Sequence, residues 1–146
     1  METKGQAPGL VPELDVSDLA ASIGFYSTLG FEVAYTRAEE GFAYLERGGV
    51  HLMLQVAEGP GRRFRTAELR RPYGRGINFQ IEVEDVADVH RTVTGAGQEP
   101  LVVLEERWYR QGDHEVGNLQ FVVADPDGYL WRPFQDLGRR PSRSSP

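Results

Sequence analysis

Ala124-Asp125-Pro126-Asp127-Gly128-Tyr129-Leu130-Trp131-Arg132-Pro133-Phe134 puts a tight turn ahead of an aromatic-rich strand. Pro126 fixes φ at the first turning position, the Asp side chains bond the backbone ahead of them, and Gly128 takes the positive φ that closes the turn. Phe121-Val122-Val123 before the turn and Tyr129 to Phe134 after it read as the arms of a hairpin. Arg132 is the one charge in the second arm, so its purpose is the central functional question.

Working outward, this hairpin closes the second of two similar units. Val16-Ser17-Asp18-Leu19-Ala20 recurs as Val83-Glu84-Asp85-Val86-Ala87, an offset of 67, and the same offset carries Leu29-Gly30 onto Ala96-Gly97. Asp18 or Ser17 caps a first helix with Leu19, Ile23, Tyr26 and Leu29 at helical spacing, stopped by Gly30. Asp85 caps a second, with Val86, Val89, Val93 and Ala96 on one face and Gly97 at its end. Short strands precede and follow each helix: about 31–37, 42–46 and 51–56 follow the first, and about 100–104, 117–124 and 129–135 the second. Each unit is βαβββ, and two of them make an α+β domain with helices on one side of curved sheets. The expected map is a disordered N-terminus 1–9, a first module 10–57, an Arg-rich linker 58–76, a second module 77–137 and a disordered tail 138–146.

A chain of 146 residues with 40% hydrophobic and 26% charged residues suits one globular domain. No apolar run approaches the roughly 20 residues that span a bilayer, and residues 1–8 lack a signal peptide's apolar segment, so a cytoplasmic protein without membrane partners is expected. The absence of cysteine excludes disulfides, thiol nucleophiles and thiolate metal sites. Arg62, Arg63, Arg65, Arg70, Arg71 and Arg75 crowd residues 62–75, and Arg139, Arg140 and Arg143 the tail, with only Glu68 opposing them there; elsewhere 7 basic residues face 21 acidic ones. An acidic body favours cationic partners and argues against nucleic acid, and Arg-rich connectors are commonly solvated.

Strand alternation sorts side chains onto two faces. Leu10, Leu14 and Val16 oppose Val11, Glu13 and Asp15; Phe79, Ile81 and Val83 oppose Asn78, Gln80 and Glu82; Leu52, Leu54 and Val56 oppose His51, Met53 and Gln55. The apolar faces meet the helices. The mixed faces, if the sheet curls, line a small-molecule pocket; a solvated sheet face shows the same alternation.

Val16-Ser17-Asp18-Leu19-Ala20-Ala21-Ser22-Ile23-Gly24-Phe25-Tyr26 with Leu29-Gly30-Phe31, and the closing Phe121-Val122-Val123-Ala124-Asp125-Pro126-Asp127-Gly128-Tyr129, resemble the opening and end motifs of the vicinal oxygen chelate superfamily. This group includes glyoxalase I, extradiol dioxygenases and fosfomycin and bleomycin resistance proteins. The resemblance spans about residues 10–137. It implies paired βαβββ modules forming a cupped mixed sheet, commonly in a homodimer, and by itself no reaction. The superfamily's metal enzymes hold a divalent cation with His, Gln or Glu from strands of both modules. Motif spacing carries those positions onto Val11, Asn78 and Arg132, and the fourth falls near Met53. Val has no lone pair and Arg brings a fixed positive charge with donors only, so no metal site and no cofactor are expected.

The histidines do not rebuild the site: His90 sits on the second helix at a surface or helix-edge place, and neighbours in Asp113-His114-Glu115 point to opposite sides of an extended chain. The resemblance then points to bleomycin-resistance-like members, which sequester a drug. A cationic glycopeptide suits the acidic body, and Phe42, Tyr44, Trp108, Tyr109 and Phe134 offer rings for stacking or, equally, for core and dimer packing. Glu105-Glu106-Arg107-Trp108-Tyr109-Arg110 is the preferred ligand-facing loop or strand edge. The expected ligand-binding set is Glu13, His51, Met53, Asn78, Gln80, Trp108, Tyr109, Arg132 and Phe134, with no residue assigned to catalysis. The alternative is a metal-independent or rewired lyase, isomerase or dioxygenase-like enzyme in which Arg132 holds an oxyanion and Glu13, Glu82 or His51 is acid or base. A third reading is an interaction module in which Arg132 pairs with Glu13 or Glu82.

Overall fold

The computed structural model describes residues 7–142. Its elements are β1 (Glu13–Val16), α1 (Leu19–Thr28), β2 (Glu32–Arg37), β3 (Phe42–Arg47) and β4 (Val50–Val56), then β5 (Asn78–Glu82), α2 (Val86–Gly95), β6 (Val102–Gln111), β7 (His114–Ala124) and β8 (Leu130–Pro141). The chain divides into two compact units at Glu68/Leu69. Each holds a four-stranded mixed sheet, ordered β1-β4-β3-β2 and β5-β8-β7-β6, with its first strand parallel to its last and the other pairings antiparallel. The repeat in the sequence is thus a repeat of topology, and the fold is the α+β fold of paired βαβββ modules expected.

Both helices start as their sequence dictates. Asp18 Oδ1 accepts from the Ala21 N–H at 3.1 Å, and Asp85 Oδ1 from that of Asp88 at 3.1 Å, each satisfying a donor the first helical turn cannot use internally. Past α1, Gly30 at φ 93° lets the Phe31 N–H turn back to the Tyr26 carbonyl at 3.0 Å. The first core gathers Leu14, Val16, Ala43, Leu45, Leu52 and Leu54 with Phe25, Tyr26, Leu29 and Phe31. Leu19 and Ile23 are only half-buried, and Phe25 does the work that spacing gave to Ile23. The second core holds Ile81, Val83, Phe121, Val123 and Trp131 with Val86 and Val93 of α2, which packs on β7 and β8. Ala96 is a correction: it is exposed, because it lies past the last turn of α2, where the chain leaves the helix. Each fully buried Leu or Phe contributes about 1.5–3 kcal/mol, which is what fixes one face of each strand inward.

The Asp125–Gly128 turn forms as read. Asp125 Oδ1 accepts from the N–H groups of Asp127 and Tyr129, both at 2.9 Å, and Gly128 stands at φ 103°. Beyond it β8 does not stop near Gln135. The expected disorder from Gly138 is corrected for residues 138–141, where Gly138, Arg139, Arg140 and Pro141 pair with Gly117, Val116, Glu115 and His114. Arg140 Nε donates to Glu115 Oε1 at 2.7 Å, and its guanidinium lies 4.0 Å from the centre of the Trp108 ring, so side chains hold this end against the sheet. Residues 7–9 carry no regular structure, and the expected disorder of residues 1–6 and 143–146 falls outside the described residues.

The linker arginines are not merely solvated. Arg63 and Arg65 both reach Asp15, at 3.3 and 3.2 Å, and donate to the carbonyls of Val56 and Ala57. Arg71 donates to Asp127 Oδ1 and to the Pro126 carbonyl, each at 3.0 Å, and Arg75 to the Arg71 carbonyl at 2.6 Å. The basic cluster is therefore partly neutralised by carboxylates that close sequence reading leaves far away.

Candidate functional site

Register builds the site on the second sheet. Cross-strand partners share a face, so Glu82, Phe134, Gln120 and Glu105 form one row, and Gln80 with Arg132 lie in the next. This is the face away from Phe79, Ile81, Val123 and Trp131, by alternation. It opens a cavity of about 480 Å³ whose walls include Gln80, Glu82, Tyr109, Asn118, Arg132 and Phe134. That volume lies within the range of about 300–1,000 Å³ typical of small-molecule pockets.

A hydrogen-bonded network orders these groups. Arg132 Nη2 donates to Gln80 Oε1 at 2.6 Å, and Nη1 to the Tyr109 hydroxyl at 3.3 Å. That hydroxyl also accepts from Gln120 Nε2 at 2.6 Å, and Gln120 Oε1 accepts from Asn118 Nδ2 at 3.3 Å. Gln120 and Asn118 are buried, and their mutual hydrogen bond fixes both amides. Both hydrogen-bonded partners of Arg132 are neutral. Arg132 Nε is buried with no hydrogen-bond partner, a state that leaves donor capacity unused. Asp136 and Arg139 line the far wall, so the cavity mixes both signs of charge.

Of the residues expected to bind ligand, Gln80, Tyr109, Arg132 and Phe134 come together here. Asn78 is exposed at the sheet edge opposite Leu130, one row beyond Arg132. Glu105 to Arg110 is edge strand rather than loop, and its alternation divides it. Tyr109 faces the cavity, whereas Trp108 lies flat over Gly117 between that glycine and Arg140, with Nε1 donating to Glu106 at 2.9 Å. Glu13, Met53 and His51 belong to the first sheet, where Glu13 pairs with Met53 and His51 Nδ1 meets the Tyr44 hydroxyl at 2.8 Å. Tyr44 also stacks on Tyr35, with ring centroids 5.1 Å apart. Burial first, and then the charges of Tyr35 and Glu46, push the Tyr44 phenol up from its ordinary value. Asn118 and Gln120 were missed; the same alternation, applied along 116–124, would have put both on the face of Tyr109.

Two of the positions onto which motif spacing carries the superfamily's metal ligands do not fit a cation. Arg132 fills one of them with a guanidinium already donating to Gln80 and Tyr109, and Val11 supplies no ligand atom. Among the described residues no group of three or more His, Asp or Glu is placed to hold a metal ion. His114 bonds Asp113 at 3.1 Å and Gln111 at 2.8 Å while Glu115 turns to Arg140, so that trio diverges. The hydrogen bond from His114 holds the Asp113 carboxyl below its usual range. His90 packs edge-on against Phe121 with centroids 5.0 Å apart, on the inner side of α2.

Comparisons with known proteins agree with this architecture. A bleomycin resistance protein of Geobacillus stearothermophilus is 31% identical over 137 residues, covering 87% of this chain and 96% of that protein. An integron cassette protein from the mobile metagenome of V. cholerae has the same fold, with a TM-score of 0.66 at 20% identity over 92% of this chain and 98% of its own. So does a bleomycin-binding protein solved in complex with bleomycin, at a TM-score of 0.54 and 24% identity over 90% of this chain and 98% of its own. Residues 12–132 match the family described as the Glyoxalase/Bleomycin resistance protein/Dioxygenase superfamily. With repeat, topology, closing turn and relatives in accord, the chain belongs to the glyoxalase/bleomycin resistance protein/dioxygenase superfamily.

Proposed function

We propose that this protein binds and sequesters a small molecule, of the cationic glycopeptide class that bleomycin represents, without transforming it. The observation that carries the reading is Arg132, held by two neutral partners with its Nε unused, inside a cavity that also presents the carboxylates of Glu82 and Asp136. Amides and a hydroxyl at Gln80, Asn118 and Tyr109 match a ligand rich in carbonyl, amide and hydroxyl groups, and the carboxylates attract its positive charge. Phe134 and Tyr109 add ring surface for planar groups. The same reading has the protein acting in the cytoplasm as a homodimer, the assembly that the superfamily resemblance implies.

Calorimetric titration with a panel of bleomycin-class glycopeptides tests this. The expected result is saturable binding with each ligand recovered chemically unchanged. Folded protein that binds no member of the panel overturns the proposal, and a ligand returned cleaved or rearranged favours an enzyme built on Arg132 and Glu82.

A further inference from the structure

A second concavity shares the face of the Arg132 cavity. It is about 350 Å³, predominantly apolar, and is walled by Tyr73, Ile77, Leu101, Ala124 and Leu130 with the turn from Pro72 to Gly76. Leu130, Arg132 and Phe134 alternate along β8, and Asn118, Gln120 and Ala124 along β7, so both concavities lie on one side of one sheet. Leu130 and Arg132 are about 7 Å apart along the strand, the length of a two-residue step. Asn78, paired with Leu130 at the edge, stands beside the junction.

The groove is preformed. Its Tyr73 N–H donates to the Asp127 carbonyl at 2.7 Å, the Ile77 N–H to the Gly74 carbonyl at 3.2 Å, and the Tyr73 ring meets Tyr129 edge-on with centroids 6.1 Å apart. It is also costly to leave in water, since Leu101 is 68% and Ile77 49% exposed.

We propose that the groove binds the apolar part of the ligand whose polar part rests on Arg132. The ligand class is amphipathic: an aromatic or alkyl group directly joined to a carboxylate or carboxamide oxygen, the oxygen accepting from the Arg132 guanidinium and Asn78 steadying the link. This rests on the small-molecule reading of the same face. Continuity along β8 selects the occupant, because a group attached to anything bound at Arg132 reaches Leu130 within one strand step.

The test uses 2-naphthoate, an apolar bicycle joined to a carboxylate, titrated into the full chain and followed by amide chemical shifts. The expected result is shifts at Ile77, Leu101 and Leu130 together with Arg132, and about tenfold weaker binding for each of L101E, I77K and R132M. Leu101 and Ile77 are exposed, so their variants keep the fold, and amide spectra of the free variants verify it. Shifts confined to the Arg132 cavity and indifferent to L101E and I77K overturn the inference while the glycopeptide reading stands. Shifts confined to the groove and indifferent to R132M also overturn it, by breaking the link between the two. No shift at millimolar probe overturns it as well, and the glycopeptide titration then judges the parent reading independently.

Discussion

Replacing Arg132 with Met keeps most of the side chain's length and apolar stem while removing the guanidinium. Two partners lose a donor, but unequally. Gln80 is exposed and regains a water, and the Tyr109 hydroxyl keeps its 2.6 Å bond from Gln120. The unused Nε disappears with the charge, which relieves a buried, unpaired donor. Stability should therefore change by no more than about 1 kcal/mol. Ligand binding should change far more: a hydrogen bond to a charged group is worth about 1.5–3 kcal/mol, or about 10–150-fold in affinity. Parallel urea unfolding and calorimetric titration with a bleomycin-class ligand separate the two effects. R132K, which keeps the charge but not the planar fork, should fall between wild type and R132M. An R132M protein that binds within about threefold of wild type refutes a ligand role for Arg132, and one destabilised by more than about 3 kcal/mol shows the residue to be structural.

Gly117→Ala drives a Cβ to 2.6 Å from the Trp108 indole, so it should cost about 1–3 kcal/mol in urea unfolding and alter tryptophan emission. Arg71→Ala removes a 3.0 Å partner from the fully buried Asp127 carboxylate and should cost about 1–2 kcal/mol in the same assay. The Tyr44 phenol should ionise above the ordinary value of 10.0, as read by ultraviolet difference titration. Its folded pKa being the higher one, its contribution to stability is full below the unfolded value and fades as pH rises through the folded value, so Tyr44→Phe should lose less stability in that alkaline window.

Periodicity, capping and turn chemistry act over a few residues, and those parts of the fold were legible: Asp18 and Asp85 cap, Gly30 and Gly128 turn, and the repeated motif became repeated topology. Misreadings arose where distant partners decide. Gly138 to Pro141 looks like a polar tail until Glu115 and Trp108 are beside it, and Arg63 or Arg71 looks solvated until Asp15 or Asp127 is. The site followed the same division. Alternation put Gln80 on the face of Asn78 and Glu82, motif spacing singled out Arg132 and ring character Phe134, but Trp108 and Tyr109, adjacent in sequence, were separated by the pleat of β6. Asn118 and Gln120 gave no motif, because a buried amide announces itself only through the hydroxyl or amide it meets.

The arginine anchors also decide where this chain can be recombined with a relative. A crossover just after β4 would take Arg63 and Arg65 from one parent and Asp15 from the other, and one just before β5 would separate Arg71 from Asp127 in the same way. Between Glu68 and Leu69 each parent contributes its module together with the anchors that clasp it. Chimeras that exchange one module to graft a new specificity should therefore be joined there, inside the connector, and not at the ends of the strands.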